Sequence, residues 1–215
     1  TKMFIVGEGN DAVYEYTLST GFDVSTASYD SNFSIASQET SPQGLAFNSD
    51  GTKMFVTGGV GDAVNEYTLS TGFDISTASY DSNFSVHSQD FTPNGLAFNN
   101  DGTKMFVTGN TGDDINEYTL STGFDVSTAS FVDSFSVSGQ ESTPSGIKFN
   151  HDGTKLFMVG VAGADINEYT LTSPFSLVNI SGEHTGDVIN SSNPSTQDTD
   201  VDVETLTVTA VRLGS

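Results

Sequence analysis

Gly44-Leu45-Ala46-Phe47-Asn48-Ser49-Asp50-Gly51-Thr52-Lys53-Met54-Phe55-Val56-Thr57-Gly58 is the stretch on which the fold turns. It returns almost unchanged as Gly95 to Gly109 and, altered, as Gly146 to Gly160. The chain opens inside the same unit, at Thr1-Lys2-Met3-Phe4-Ile5-Val6-Gly7. Lys2, Lys53, Lys104 and Lys155 stand 51 residues apart each time. A fixed period of this size marks a repeat architecture, whose units bury their apolar faces against one another.

The unit beginning at Gly95 is the most complete. Gly95-Leu96-Ala97-Phe98-Asn99 reads as a short strand A, followed by a turn at Asn99-Asn100-Asp101-Gly102. Asp accepts local backbone hydrogen bonds there, and Gly takes positive φ without steric cost. Lys104 to Thr108 reads as strand B, and Gly109 to Asp113 as a second turn. Ile115 to Leu120 reads as strand C, rich in β-branched and aromatic residues. Phe131 to Val137 alternates apolar and polar, as a half-exposed strand D does. No segment shows a 3.6-residue apolar period of helical length. Four strands per unit at this period predict an all-β fold, a β-propeller of four-stranded antiparallel blades with strand A nearest the axis. Blades packed face to face bury both sides of strands B and C, which explains apolar neighbours such as Phe55 and Val56.

The segments Pro42 to Val56 and Pro93 to Val107, of the form Pro-x-Gly-Leu-Ala-Phe-Asn-x-Asp-Gly-Thr-Lys-Met-Phe-Val, resemble the broad propeller-repeat group that includes the YVTN and NHL types. The resemblance covers most of residues 1 to 180. It implies a fold and leaves function open, because that group holds enzymes, binders and structural modules.

The propeller is expected over residues 1–190, with blade boundaries near 44, 95 and 146. Strand B occurs four times, so four blades are visible, but no strand A precedes Lys2. The fourth unit reads as shortened, with Phe175-Ser176-Leu177 answering Phe135-Ser136-Val137. On that register residues 186–190 form a strand that closes the ring against Lys2 to Val6; otherwise repeats are missing upstream and the parent ring is larger. Residues 191–215 form a polar acidic linker and one alternating strand, and resemble the opening of VCBS or cadherin-like β-sandwich modules. That likeness implies a larger multidomain parent.

The chain carries 28 acidic against 6 basic residues, a net charge of −22. Such a surface repels nucleic acid and anionic membranes. Cysteine is absent, which excludes a disulfide scaffold, Cys-ligated zinc and thiol catalysis. No apolar run approaches the ~20 residues that span a bilayer. No signal peptide is visible, but the chain opens mid-repeat, so its natural start is expected further upstream. The Gly, Ser, Thr, Asn and Asp-rich composition suits an extracellular, cell-surface or virion setting.

Asp198, Asp200, Asp202 and Glu204 are the best metal candidates, for Ca²⁺, which takes six to eight oxygen ligands. A solvated acidic linker explains the same residues. Asp11, Asp62, Asp113 with Asp114, and Asp165 recur ahead of strand C, where turn chemistry accounts for them without a ligand. Glu15, Glu66, Glu117 and Glu168, each followed by Tyr, point to a hydrogen bond that every blade needs. The recurring lysines are expected to pair with that Glu or with the turn Asp. His87, His151 and His184 break the repeat, but no partner is spaced for catalysis or zinc.

The expected function is a non-enzymatic surface module, a rigid scaffold or an adhesion platform for glycan or protein ligands. Its contacts would be aromatic and polar loop positions repeated around the ring. Two alternatives stand beside it: a propeller hydrolase or lyase with a cation near the axis, and a self-associating virion fibre or capsid-decorating subunit.

Overall fold

A computed structural model describes residues 1–178, 180 and 183–186. The chain lays down antiparallel sheets in sequence order. The first holds β1 (Lys2–Gly7), β2 (Ala12–Leu18) and β3 (Ala27–Ser34). The second holds β4 (Pro42–Phe47), β5 (Lys53–Gly58), β6 (Ala63–Leu69) and β7 (Ala78–Ser85). The third holds β8 (Pro93–Phe98), β9 (Lys104–Gly109), β10 (Asp114–Leu120) and β11 (Ala129–Ser136). The fourth holds β12 (Pro144–Phe149), β13 (Lys155–Gly160), β14 (Ile166–Thr170) and β15 (Glu183–Gly186). Each four-stranded sheet keeps its strands in chain order, and the first lacks an inner strand among the described residues.

Local chemistry explains each turn. After β4, Asn48 Oδ1 accepts from the Lys53 N–H and Asp50 Oδ1 from the Thr52 N–H. Gly51 takes φ +72°, a conformation that L side chains rarely adopt. The turn ahead of strand C puts Asp11, Asp62 and Asp113 at φ near +48°, where Asp is tolerated, and Ala164 fills that place in the fourth blade. Their carbonyls accept from Ile35, Val86 and Val137. Between strands C and D, a short 3-10 helix follows Asp23, Asp74 and Asp125, whose side chains accept from the N–H two residues on.

Alternate residues of strands B and C face opposite neighbours, and the core lies between blades. Val13 and Ile35 of the first blade pack with Met54, Val56, Tyr67, Leu69 and Ile75 of the second. Phe55, Val64 and Val86 then pack with Met105, Val107, Tyr118, Leu120 and Val126 of the third. Phe106, Ile115 and Val137 pack with Leu156, Met158, Tyr169, Leu171 and Leu177 of the fourth. Burying such side chains is the main stabilising term, about 1.5–3 kcal/mol for each large one.

The inner strands β4, β8 and β12 lie side by side. A Cβ on Gly44 would sit 2.5 Å from the Asn94 carbonyl oxygen, and one on Gly95 3.1 Å from Gly146 Cα. The glycine that opens the repeated motif is therefore required by close backbone approach at the axis.

The fourth unit corrects one expected register. Phe175 has φ +51°, as Phe22, Phe73 and Phe124 do, so it answers Phe124 and not Phe135. Leu177 answers Val126, and the outer strand comes later, as β15, where His184 pairs in register with Glu168 of β14. The unit is not shortened before that strand. Gly186 pairs with Ile166 in the same blade and takes no place beside β1. The rest of the expected closing strand 186–190 lies outside the described residues, as do the segment 191–215 and the calcium candidates Asp198, Asp200, Asp202 and Glu204.

Candidate functional site

Three places concentrate polar or exposed groups: the joint between blades, the axial cleft and the outer rim. At the joint, Lys53 Nζ bonds Glu66 Oε1, while Glu66 Oε2 accepts from the Val126 N–H of the next blade at 2.8 Å. Lys2, Glu15 and the Ile75 N–H repeat the arrangement at 2.5 and 2.9 Å, and Lys104, Glu117 and the Leu177 N–H at 2.7 Å for both bonds. The recurring lysine thus pairs with the recurring glutamate, which is also the pin between blades. Burial pulls Lys53 down, but the bond to Glu66 and its negative field hold it above its ordinary value. The same burial pushes Glu66 up. An ammonium on one oxygen and an amide on the other is the geometry of an ionised pair.

A second set of acids was not singled out from the sequence. Glu39, Asp90 and Glu141 are each 1% exposed. Glu39 accepts from the N–H groups of Ser41, Val60 and Gly61. Asp90 does so for Thr92, Thr111 and Gly112, and Glu141 for Thr143, Ala162 and Gly163. Each ties the turn between strands B and C to the segment entering strand A. A carboxylate satisfied by three amides is a structural brace. The signal was an acid three residues before Pro42, Pro93 and Pro144.

The axial cleft has a volume of about 620 Å³ and opens between the turns that follow the inner strands. Phe47, Phe98 and Phe149 line it, with Asn100, Lys148 and His151. The aromatic lining is built from cross-blade trios. Phe4 meets Phe47 at 4.5 Å and Phe73 at 6.3 Å between ring centres, for example. Lys148 stands where the other blades carry Ala46 and Ala97, so it breaks the repeat, as His151 does, and puts a cation at the axis.

The outer rim carries Tyr29, Tyr80 and Phe131, all exposed and 51 residues apart. Each lies opposite Tyr16, Tyr67 or Tyr118 in the register of strands C and D. Ring centres sit 5.8 Å apart in an edge-to-face arrangement, a favoured aromatic geometry. Burial pushes the hydroxyls of Tyr67 and Tyr118 up, so these supporting rings stay neutral.

The remaining candidates disperse. His87 Nδ1 lies 2.9 Å from Asp62 Oδ2, on an exposed loop beside Phe91. His151 faces the cleft, and His184 falls in β15. The turn aspartates sit one to a blade, or two in the third, and no cluster of three or more metal-ligating side chains occurs among the described residues.

The sequence matches no family model and no curated protein. Solved structures match over the fold. A Lactobacillus plantarum protein aligns with TM-score 0.60 and 17% identity, over 87% of this chain and 52% of its own. The periplasmic gluconolactonase PpgL of Pseudomonas aeruginosa aligns with TM-score 0.57 and 14% identity, over 87% and 51%. A β-propeller domain from Myceliophteria thermophila aligns with TM-score 0.50 and 14% identity, over 79% and 52%. By fold the chain is a β-propeller of antiparallel blades, and it spans about half the length of the structures it matches.

Proposed function

We propose that this chain is a non-enzymatic binding module of an extracellular, cell-surface or virion protein, holding glycan or protein ligands along its outer strands. The observation that carries the reading is the rim: an exposed aromatic ring at the same place in three successive blades, backed by a ring that is buried in the second and third blades and half-buried in the first. Such rings give flat apolar contact at low entropic cost, and repetition turns weak contacts into avidity. The commitment of the recurring acids to internal hydrogen bonds supports it too, since they are used within and between blades. The position of these aromatics refines the expectation from sequence, which looked to loops.

The test is a glycan array followed by titration of the best hit with wild type, Tyr80→Ala and the triple variant Tyr29→Ala, Tyr80→Ala, Phe131→Ala. The single change should weaken binding about tenfold and the triple change abolish it. Binding that survives the triple change sinks the rim reading, and silence on glycan and protein arrays leaves a rigid spacer.

A second reading rests on the cleft. Three of the matched structures are named as gluconolactonase or putative 6-phosphogluconolactonase. In this chain Lys148 and His151 reach the cleft, and no carboxylate side chain lines it among the described residues, which suits an anionic ligand better than a bound cation. Lactone hydrolysis lost in Lys148→Ala and His151→Ala would install this reading.

A further inference from the structure

The outer strands of the first two blades carry one five-residue string twice. Asp30-Ser31-Asn32-Phe33-Ser34 and Asp81-Ser82-Asn83-Phe84-Ser85 are identical and hold the same place in β3 and β7. Each contains Asn-x-Ser, the acceptor triplet for an N-linked glycan. The chain holds four such triplets, at Asn32, Asn83, Asn179 and Asn190, and only the first two have an acid two residues before the asparagine. That acid offers a charge to a basic side chain in a transferase's peptide groove, and it narrows the motif from three residues to five.

Both asparagines stand where a glycan has room. Asn83 and Ser85 are exposed although β7 has a blade on either side, so their exposure owes nothing to the ends of the blade array. β7 is also the outer strand of its sheet and pairs on one side only, with β6. Asn32 and Ser34 are exposed at the same register in β3. In a regular strand, residues three apart point to opposite faces. Here a bulge intervenes: Ser31 pairs with Glu15 and Tyr29 with Tyr16, which leaves Asp30 unpaired, and Asp81 is unpaired in the same way. The extra residue turns the asparagine and the tyrosine three before it to one face. Asn32 Nδ2 accordingly donates to the Tyr29 hydroxyl at 2.7 Å. The third blade keeps the bulge, at Val132, but has Ser134 in place of the asparagine.

We propose that Asn32 and Asn83 are acceptors for N-linked glycans, and that the attached sugar covers Tyr29 and Tyr80 and leaves Phe131 bare. The proposal rests on the surface setting proposed for this chain, because the transfer acts on exported chains, and it makes glycosylation a regulator of the rim. In the transfer, Asn Nδ2 attacks the anomeric carbon of a lipid-pyrophosphate-linked oligosaccharide. The N–C bond forms, the C–O bond to pyrophosphate breaks, the lipid pyrophosphate leaves and one amide proton passes to solvent. The product amide keeps one N–H, enough to hold the tyrosine hydroxyl. The first sugar then starts beside the ring, a large flat apolar surface for it to lie on.

The test exports the whole chain to the periplasm of a bacterium that carries an oligosaccharyltransferase requiring an acid two residues before the acceptor, with its lipid-linked oligosaccharide. Intact mass and glycopeptides are read. The wild type is expected to gain glycan at Asn32 and Asn83 and nowhere else. Asn83→Gln and Ser85→Ala should each lose the second-blade glycan only, and Asn32→Gln the first-blade one. Asp81→Ala should lose occupancy at Asn83 while Asn32 keeps its own. All of these positions are exposed, so thermal unfolding should show the folds unchanged. A wild type left bare in cells that modify a control acceptor overturns the acceptor assignment, as does glycan that persists in the Asn32→Gln, Asn83→Gln double variant. Tetranitromethane then probes the rings. Tyr29 and Tyr80 should be nitrated in the bare protein and protected in the modified one, and equal nitration overturns the masking. None of these readouts uses a bound ligand. The binding reading can therefore fail on the arrays while these results stand, and the reverse.

Discussion

Val24 and Ile75 hold the same place in successive repeats, yet Val24 is 69% exposed and Ile75 is fully buried. Their local settings match: each follows an Asp that caps a 3-10 turn, and each precedes Ser-Thr-Ala. What differs is the blade behind. Ile75 has Glu15 on its amide and the first blade's core against its side chain, whereas Val24 has neither among the described residues. The contrast teaches that stability in this chain belongs to the joints between blades rather than to the blades themselves, as in other nearest-neighbour arrays. Near-identical residues then contribute according to position.

That comparison breaks most visibly at the glutamates. Glu66→Ala leaves Lys53 and the Val126 amide without their acceptor in a buried joint, and should cost about 3 kcal/mol or more. Glu168→Ala should cost under about 0.5 kcal/mol, because the side chain is 34% exposed against 1% for Glu66. Urea unfolding of the two variants gives the difference, and equal losses would refute the assignment of stability to joints. The apolar pair comes next. Ile75→Ala should cost about 2–4 kcal/mol through lost burial and a cavity. Val24→Ala should stay within about 0.5 kcal/mol, as surface changes do.

Gly58 and Gly7 sharpen the same point through backbone space. A Cβ on Gly58 would lie 2.7 Å from Glu39 Cδ, whereas one on Gly7 would meet nothing within 4 Å. Gly58→Ala should cost about 1–3 kcal/mol by overpacking, while Gly7→Ala should be neutral within thermal-melt error. The smallest effect should ignore position altogether. Asp50, Asp101 and Asp152 accept from the Thr hydroxyl and amide two residues on, which hold their carboxyls below the ordinary value of 3.8. The unfolded state then binds more protons below that value, so these turns contribute stability above pH 3.8 and lose it as pH falls through their lower, folded values. Asn at any one of the three should flatten the acid limb of the stability curve slightly and equally. A response confined to the interior blades would contradict a purely local origin.

Much of this was legible in the sequence. A period of 51 residues with four apolar runs located strands A to D, and the recurring Lys and Glu announced a bond that each blade needs. What stayed hidden depended on contacts across blades or on look-alike strings. Phe175-Ser176-Leu177 imitates Phe135-Ser136-Val137 in letters, and Pro174 stands where Gly123 would have shown the true register. Only the positive φ of Phe175 and the Leu177 amide on Glu117 reveal the place. The buried braces Glu39, Asp90 and Glu141 alternate between two acids in changing company, so their common spacing to Pro was easy to pass over. Lys148 draws notice only once the inner strands are known to line a cleft.

Gly44 and Gly95 let each inner strand approach the next. They also act as a gauge of curvature. Blades are wedges, and the angle between two of them is set by how close their thin edges come. A methyl group at Gly44 or Gly95 would hold the thin edges apart, flatten the arc and raise the number of wedges needed to come full circle. The smallest residue in the repeat thereby governs the largest dimension of any assembly that it builds.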